Sequence, residues 1–113
     1  MASDILIVDD EADIRELISG ILGDEGYQTR LAGTDKQALA AVAARRPSLV
    51  ILDIWLRGSK LDGIKILQRM RTLHGDLAVV MISGHGNIET AVQAIKYGAY
   101  DFIQKPFEAD RLL

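Results

Sequence analysis

Short apolar runs alternate along this chain with longer stretches in which apolar residues recur every three or four positions. That alternation is the pattern of consecutive βα units around a parallel sheet. Ile5-Leu6-Ile7-Val8 reads as a buried strand ending at Asp9. From Glu11 to about Asp24, the residues Ile14, Leu17, Ile18, Ile21 and Leu22 predict one apolar helix face, and Gly26 closes that helix. Tyr27 to Ala32 is a weaker, alternating strand that suits a sheet edge. Thr34 is placed to cap a second helix that runs through alanine-rich sequence to Arg46, where Pro47 stops it.

The third strand is Leu49 to Leu52, running into Asp53, and residues 54–62 read as a loop. A third helix follows over Gly63 to Leu73, with Ile64, Ile66, Leu67 and Met70 as its apolar side. Leu77 to Ile82 predicts a fourth strand ending at Ser83; Gly84, Gly86 and Asn87 predict a turn; Ile88 to Tyr97 predicts a helix stopped by Gly98. Tyr100 to Gln104 is the fifth strand, followed by Lys105-Pro106, and Phe107 begins a fifth helix that the chain barely enters.

A length of 113 residues suits a single packed core. The chain is 49% apolar and 26% charged with a formal net charge of −3, so no basic face for nucleic acid is expected. The absence of cysteine excludes disulfides, thiol catalysis and thiolate metal sites together. Met1-Ala2-Ser3-Asp4 lacks the basic flank of a secretory signal, and no apolar run approaches membrane-spanning length. A soluble protein of the cytoplasm is the expectation.

In doubly wound parallel sheets, sites form outside the carboxyl ends of the strands. The predicted strands end there in Asp9-Asp10, Asp53, Ser83 and Lys105-Pro106, which is three acids, a hydroxyl and an amine on one edge. Clustered carboxylates resist joint ionisation unless a cation lies among them. Oxygen ligands without His or Cys favour Mg²⁺ or Mn²⁺ over zinc. A carboxylate also serves as a nucleophile toward phosphorus, and a metal, an ammonium and a hydroxyl are suited to neutralise the transferring oxygens. A buried strand would aim Asp53 rigidly at that edge, which explains a carboxylate at the end of so apolar a run.

The segments VDDE, LVILD, SGHG and KPF, in this order and spacing, resemble the receiver domain of bacterial two-component response regulators. The resemblance covers the whole chain except the remainder of the last helix. It implies a flavodoxin-like (CheY-like) doubly wound sheet of five parallel strands in the order 2-1-3-4-5, with the last helix truncated. It also implies that Asp53 is the phosphoacceptor and that Asp9 and Asp10 join it around the metal, with the Trp55 backbone carbonyl as a further ligand. Ser83 matches the switch hydroxyl, Phe102 the switch aromatic, and Lys105 the phosphate-contacting lysine. A cis peptide before Pro106 is a further family feature.

The run SGHGNIETAVQAIKYGAYDFIQKPF is similar to receivers of nitrogen-regulation activators of the NtrC type, and the loop LDIWLRGSKLDG looks more like NtrX. By that resemblance residues 1–113 are the N-terminal receiver part of a longer, sigma-54-dependent, nitrogen-related transcription regulator. Its partners would be a sensor histidine kinase, its own C-terminal output domains and a second copy through residues 87–113. The chain departs from most receivers at Leu56-Arg57, where Met-Pro is usual, and its loop to Gly63 is about two residues longer.

Taken singly, these residues have plainer readings. Asp9-Asp10 would be a solvated strand end or helix cap, Ser83 a turn residue before Gly84, and Phe102 a core side chain sharing a strand face with Tyr100 and Gln104. His74 and His85 read as surface residues. The conjunction of Asp9, Asp10, Asp53, Ser83 and Lys105 favours the switch, and Trp55 and His85, flanking Asp53 in the family's geometry, are candidates to modulate its dephosphorylation. The competing enzyme reading, a haloacid-dehalogenase-like Mg²⁺-dependent phosphatase, requires an acid two residues after the nucleophile, where Trp55 stands. A third reading is a receiver-like binding module without phosphorylation. The expectation is a switch that assists only its own phosphorylation and dephosphorylation.

Overall fold

Five parallel strands, β1 (Asp4–Val8), β2 (Gln28–Ala32), β3 (Leu49–Asp53), β4 (Val79–Ser83) and β5 (Asp101–Gln104), form one sheet in the order β2-β1-β3-β4-β5. This computed structural model describes residues 4–53, 63–75, 77–83, 95–96 and 98–104, with the backbone alone described at 83 and 101–104. Helices α1 (Ala12–Asp24), α2 (Asp35–Ala44) and α3 (Gly63–Leu73) lie between the strands, and residues 95 and 96 are helical. The strand order is the one the resemblance implied. Among the described residues no helix is long and apolar enough to cross a membrane.

Alternation along the strands divides the core into two layers. Leu6, Val8, Val50, Leu52, Val79 and Met81 pack with Ala38 and Val42 of α2 and with Ile66, Leu67 and Met70 of α3. Ile5, Ile7, Ile51 and Ile82 face the other way, against Ile18 and Leu22 of α1. Both faces are covered, so the inner strands carry continuous apolar runs (Ile5 to Val8, Leu49 to Leu52, Val79 to Ile82) rather than an apolar residue at every second position. β2 pairs with β1 alone and leaves Leu31 48% exposed, which accounts for its weaker apolar pattern.

Local chemistry sets the helix ends. The N–H of Gly26 bonds to the Gly23 carbonyl and that of Tyr27 to the Leu22 carbonyl, the paired bonds of a Schellman cap, with Gly26 at φ +90°. The Thr34 hydroxyl accepts from the Gln37 N–H at 3.2 Å, and the Gln37 side chain accepts in return from the Gly33 N–H at 2.7 Å. This exchange resembles a capping box displaced by one residue.

Four expectations shift. α2 ends at Ala44 rather than Arg46, because Arg45 is already extended (φ −160°, ψ 128°) ahead of the Arg46-Pro47 step, where helical backbone is disfavoured. β4 begins at Val79 rather than Leu77, since the Leu77 N–H closes a turn onto the His74 carbonyl and its own carbonyl accepts from Arg71. Leu17 is 52% exposed, lying roughly 100° round α1 from buried Ile18, outside the stripe that meets the sheet. His74 is half-buried at the end of α3 and its N–H bonds to the Met70 carbonyl.

Candidate functional site

Pairing across the sheet aligns the carboxyl ends of the strands. Val8 lies opposite Leu52, Asp53 opposite Ile82, and Ser83 opposite Gln104. Asp9, one residue past β1, is therefore brought beside Asp53, the last residue of β3. Asp9 is fully buried and Asp53 is 4% exposed, while Asp10 is half-buried. One carboxylate oxygen from each of Asp9, Asp10 and Asp53 lies within 4.8 Å of the other two. The expected acidic triad is thus assembled from three residues on two strand ends.

Each pair of charges at this separation repels by on the order of a few kcal/mol at an effective dielectric of about 20. A divalent cation would turn that repulsion into attraction, and three carboxylates without imidazole or thiolate match a hard, oxygen-seeking ion such as Mg²⁺. The backbone holds the triad in place. Asp9 Oδ1 accepts from the Glu11 N–H at 2.9 Å, and the Asp9 N–H donates to the Ala32 carbonyl at 3.1 Å. Glu11 is the N-cap of α1, so the positive end of that helix adjoins the acids.

Arg15, which sequence reading passes over, donates Nη1 to the Asp9 carbonyl at 2.6 Å. A cation on the first turns of the helix following an acidic pair was its only sequence signal, and surface arginines on helices are too common for that to stand out. At the opposite end of the sheet, Asp4 receives Arg30 at 2.8 Å and Arg45 at 3.2 Å. Arg30 also donates to the Ala41 and Arg45 carbonyls at the end of α2, a structural clasp remote from the triad. A groove of about 570 Å³ between α2 and α3 is lined by Leu39, Lys65, Gln68, Arg69, Thr72 and Leu73 and, among the described residues, presents no carboxylate.

The remaining expected residues are placed in part or not at all. Ser83 ends β4, and Phe102 pairs with Met81 in β5, but the side chains of both lie outside the described residues. Trp55, His85, Lys105 and Pro106 lie outside the described residues, as do the loop 54–62, the turn at 84–87 and the start of the fifth helix.

The response regulator receiver domain family matches residues 5–113. The chain is 65% identical over 113 residues to the nitrogen assimilation regulatory protein NtrX of Azorhizobium caulinodans, covering all of this chain and 25% of that protein. It is 38% identical over 112 residues to sporulation initiation phosphotransferase F of Bacillus subtilis, covering 99% of this chain and 89% of that one. The crystal structure of the receiver domain of NtrX from Brucella abortus superposes with a TM-score of 0.93 at 64% identity, over 96% of this chain and 91% of that one. Matched over nearly its whole length, and carrying the acidic triad at its strand ends, the chain belongs to the response regulator receiver domain family.

Proposed function

We propose that this chain is a phosphorylation-controlled switch of a two-component signal transduction system, in which a sensor histidine kinase is the phosphoryl donor and Asp53 the acceptor. The observation that carries the reading is the triad of buried Asp9 and Asp53 with half-buried Asp10 at adjoining strand ends. In the transfer an Asp53 carboxylate oxygen forms a bond to phosphorus as the bond from phosphorus to the donor nitrogen breaks. Asp53, held at the end of a strand buried on both faces, presents its carboxylate in one direction. Asp9 and Asp10 hold Mg²⁺ with Asp53 and the Trp55 carbonyl; when bound, the ion supplies positive charge to the phosphoryl oxygens.

Lys105 and Ser83 contact the phosphoryl group, Phe102 repacks in response, and the face formed by residues 87–113 carries the change to a partner or a second copy. Trp55 and His85 set the dephosphorylation rate; equal rates in wild type, Trp55→Ala and His85→Ala would remove that role. The domain acts in the cytoplasm as the N-terminal part of a longer regulator with its own output domains. Its control of nitrogen-related transcription is supported by relatives named as a nitrogen assimilation regulator and as a C4-dicarboxylate transport transcriptional regulator, and sigma-54 dependence is part of the same proposal.

Intact mass spectrometry of the chain with acetyl phosphate, with and without Mg²⁺ and beside Asp53→Asn, tests the reading. The expected result is a Mg²⁺-dependent gain of one phosphoryl group in the wild type alone. An equal gain in Asp53→Asn would overturn the assignment of the acceptor.

A further inference from the structure

We infer that Arg15 is a positioning residue for the cation site, acting through the backbone carbonyl of Asp9, and that Gly33 is the residue that leaves room for it. The inference rests on the proposal that Asp9, Asp10 and Asp53 hold a divalent cation. Asp9 is fully buried, and three of its polar groups are anchored: the N–H to the Ala32 carbonyl, Oδ1 to the Glu11 N–H, and the carbonyl to Arg15 Nη1 at 2.6 Å. The Arg15 bond is charge-assisted, short, and the only one of the three made by a side-chain donor.

Its target is the peptide group that joins the two acids. That group is planar, so fixing the Asp9 carbonyl also fixes the plane containing the Asp10 nitrogen and both Cα atoms. One guanidinium thereby sets the direction in which Asp10 leaves the strand, as well as the position of Asp9. The role is that of the outer partners of metal ligands, which orient the ligands without touching the ion.

Gly33, in the turn between β2 and α2, supplies the space. A Cβ at this position would lie 2.9 Å from Arg15 Nη1 and 3.6 Å from its Cζ. Gly33 does not have a positive φ, so the side chain is excluded by the guanidinium and not by the backbone. Because the obstructing atom is the far end of a flexible side chain, an alanine there displaces the guanidinium from the Asp9 carbonyl at little cost to the fold.

Two physical effects of Arg15 oppose each other, and the variants separate them. As a nearby positive charge alone, Arg15 would repel a cation, and its removal would tighten binding. As a positioning group, its removal loosens binding, and Gly33→Ala, which keeps the charge and moves it, loosens binding too.

The test is titration of the full chain with Mg²⁺ by calorimetry at fixed ionic strength, with the thermal midpoint of the metal-free protein measured in parallel. Arg15→Ala and Gly33→Ala are each expected to raise the Mg²⁺ dissociation constant about tenfold. The double variant is expected to bind no more weakly than Arg15→Ala alone, because both changes break one contact. Unchanged or tighter Mg²⁺ binding by Arg15→Ala overturns the inference, even with a lowered thermal midpoint, since that pattern describes a purely structural residue. Failure of the wild type to bind Mg²⁺ would instead overturn the proposed cation site on which the inference rests.

Discussion

Asp9 and Asp53 stand side by side at the ends of neighbouring parallel strands, both buried, with carboxylate oxygens no more than 4.8 Å apart. Two like charges so placed repel each other, and a cation between them relieves that repulsion. Mg²⁺ at ten times its dissociation constant is expected to stabilise the fold by about 1.4 kcal/mol. Asp9→Asn keeps the oxygen that accepts from the Glu11 N–H but removes one charge. Thermal unfolding with and without Mg²⁺ should show most of the shift lost in this variant.

Gly26 and Gly98 both have positive φ, +90° and +101°, but their surroundings differ. A Cβ on Gly26 meets nothing within 4 Å, so Gly26→Ala should cost about 1 kcal/mol from the backbone alone. A Cβ on Gly98 would lie 2.9 Å from Arg71 Nε, and Gly98→Ala should cost about 1 kcal/mol more. Denaturant unfolding of Gly98→Ala, Arg71→Ala and the pair is expected to give a double variant less destabilised than the sum of the singles. Simple additivity would show that the contact carries no strain.

Arg30 and Arg45 both reach Asp4, yet they should differ in weight. The Arg30 side chain is 23% exposed and also bonds two carbonyls at the end of α2, whereas that of Arg45 is 62% exposed. Arg30→Ala should cost about 2 kcal/mol and Arg45→Ala less than about 0.5 kcal/mol. Urea midpoints at low and high salt check both values, with the Arg30 loss persisting at high salt.

Leu17 and Ile18 are neighbours in α1 on opposite sides of the core boundary. Ile18→Ala removes a fully buried side chain and should cost about 3 kcal/mol, while Leu17→Ala should change stability by less than about 0.5 kcal/mol. Equal losses in equilibrium unfolding would place Leu17 in the core after all.

Features that depend on short stretches of chain were legible in the sequence. The apolar runs of β1 and β3, the three-and-four spacing of α3, the Thr34 cap and the Gly26 stop each arise from interactions spanning a few residues. The candidacy of Asp9, Asp10 and Asp53 was legible too, because an acid directly after a buried strand lies at the edge where such sheets form their sites. The boundary misplaced by two residues at β4 and the exposure of Leu17 were not, since Leu77 is buried without being paired in the sheet and Leu17 differs from its neighbours only in what α1 packs against. Only the parallel register β1 shares with β3 decides that Asp9 meets Asp53, and only the approach of α1 to the β2–α2 turn brings Arg15 to the Asp9 carbonyl over Gly33. Periodicity and capping are written locally in the chain, whereas the separation of two charges on different strands is set by how the whole sheet pairs and packs.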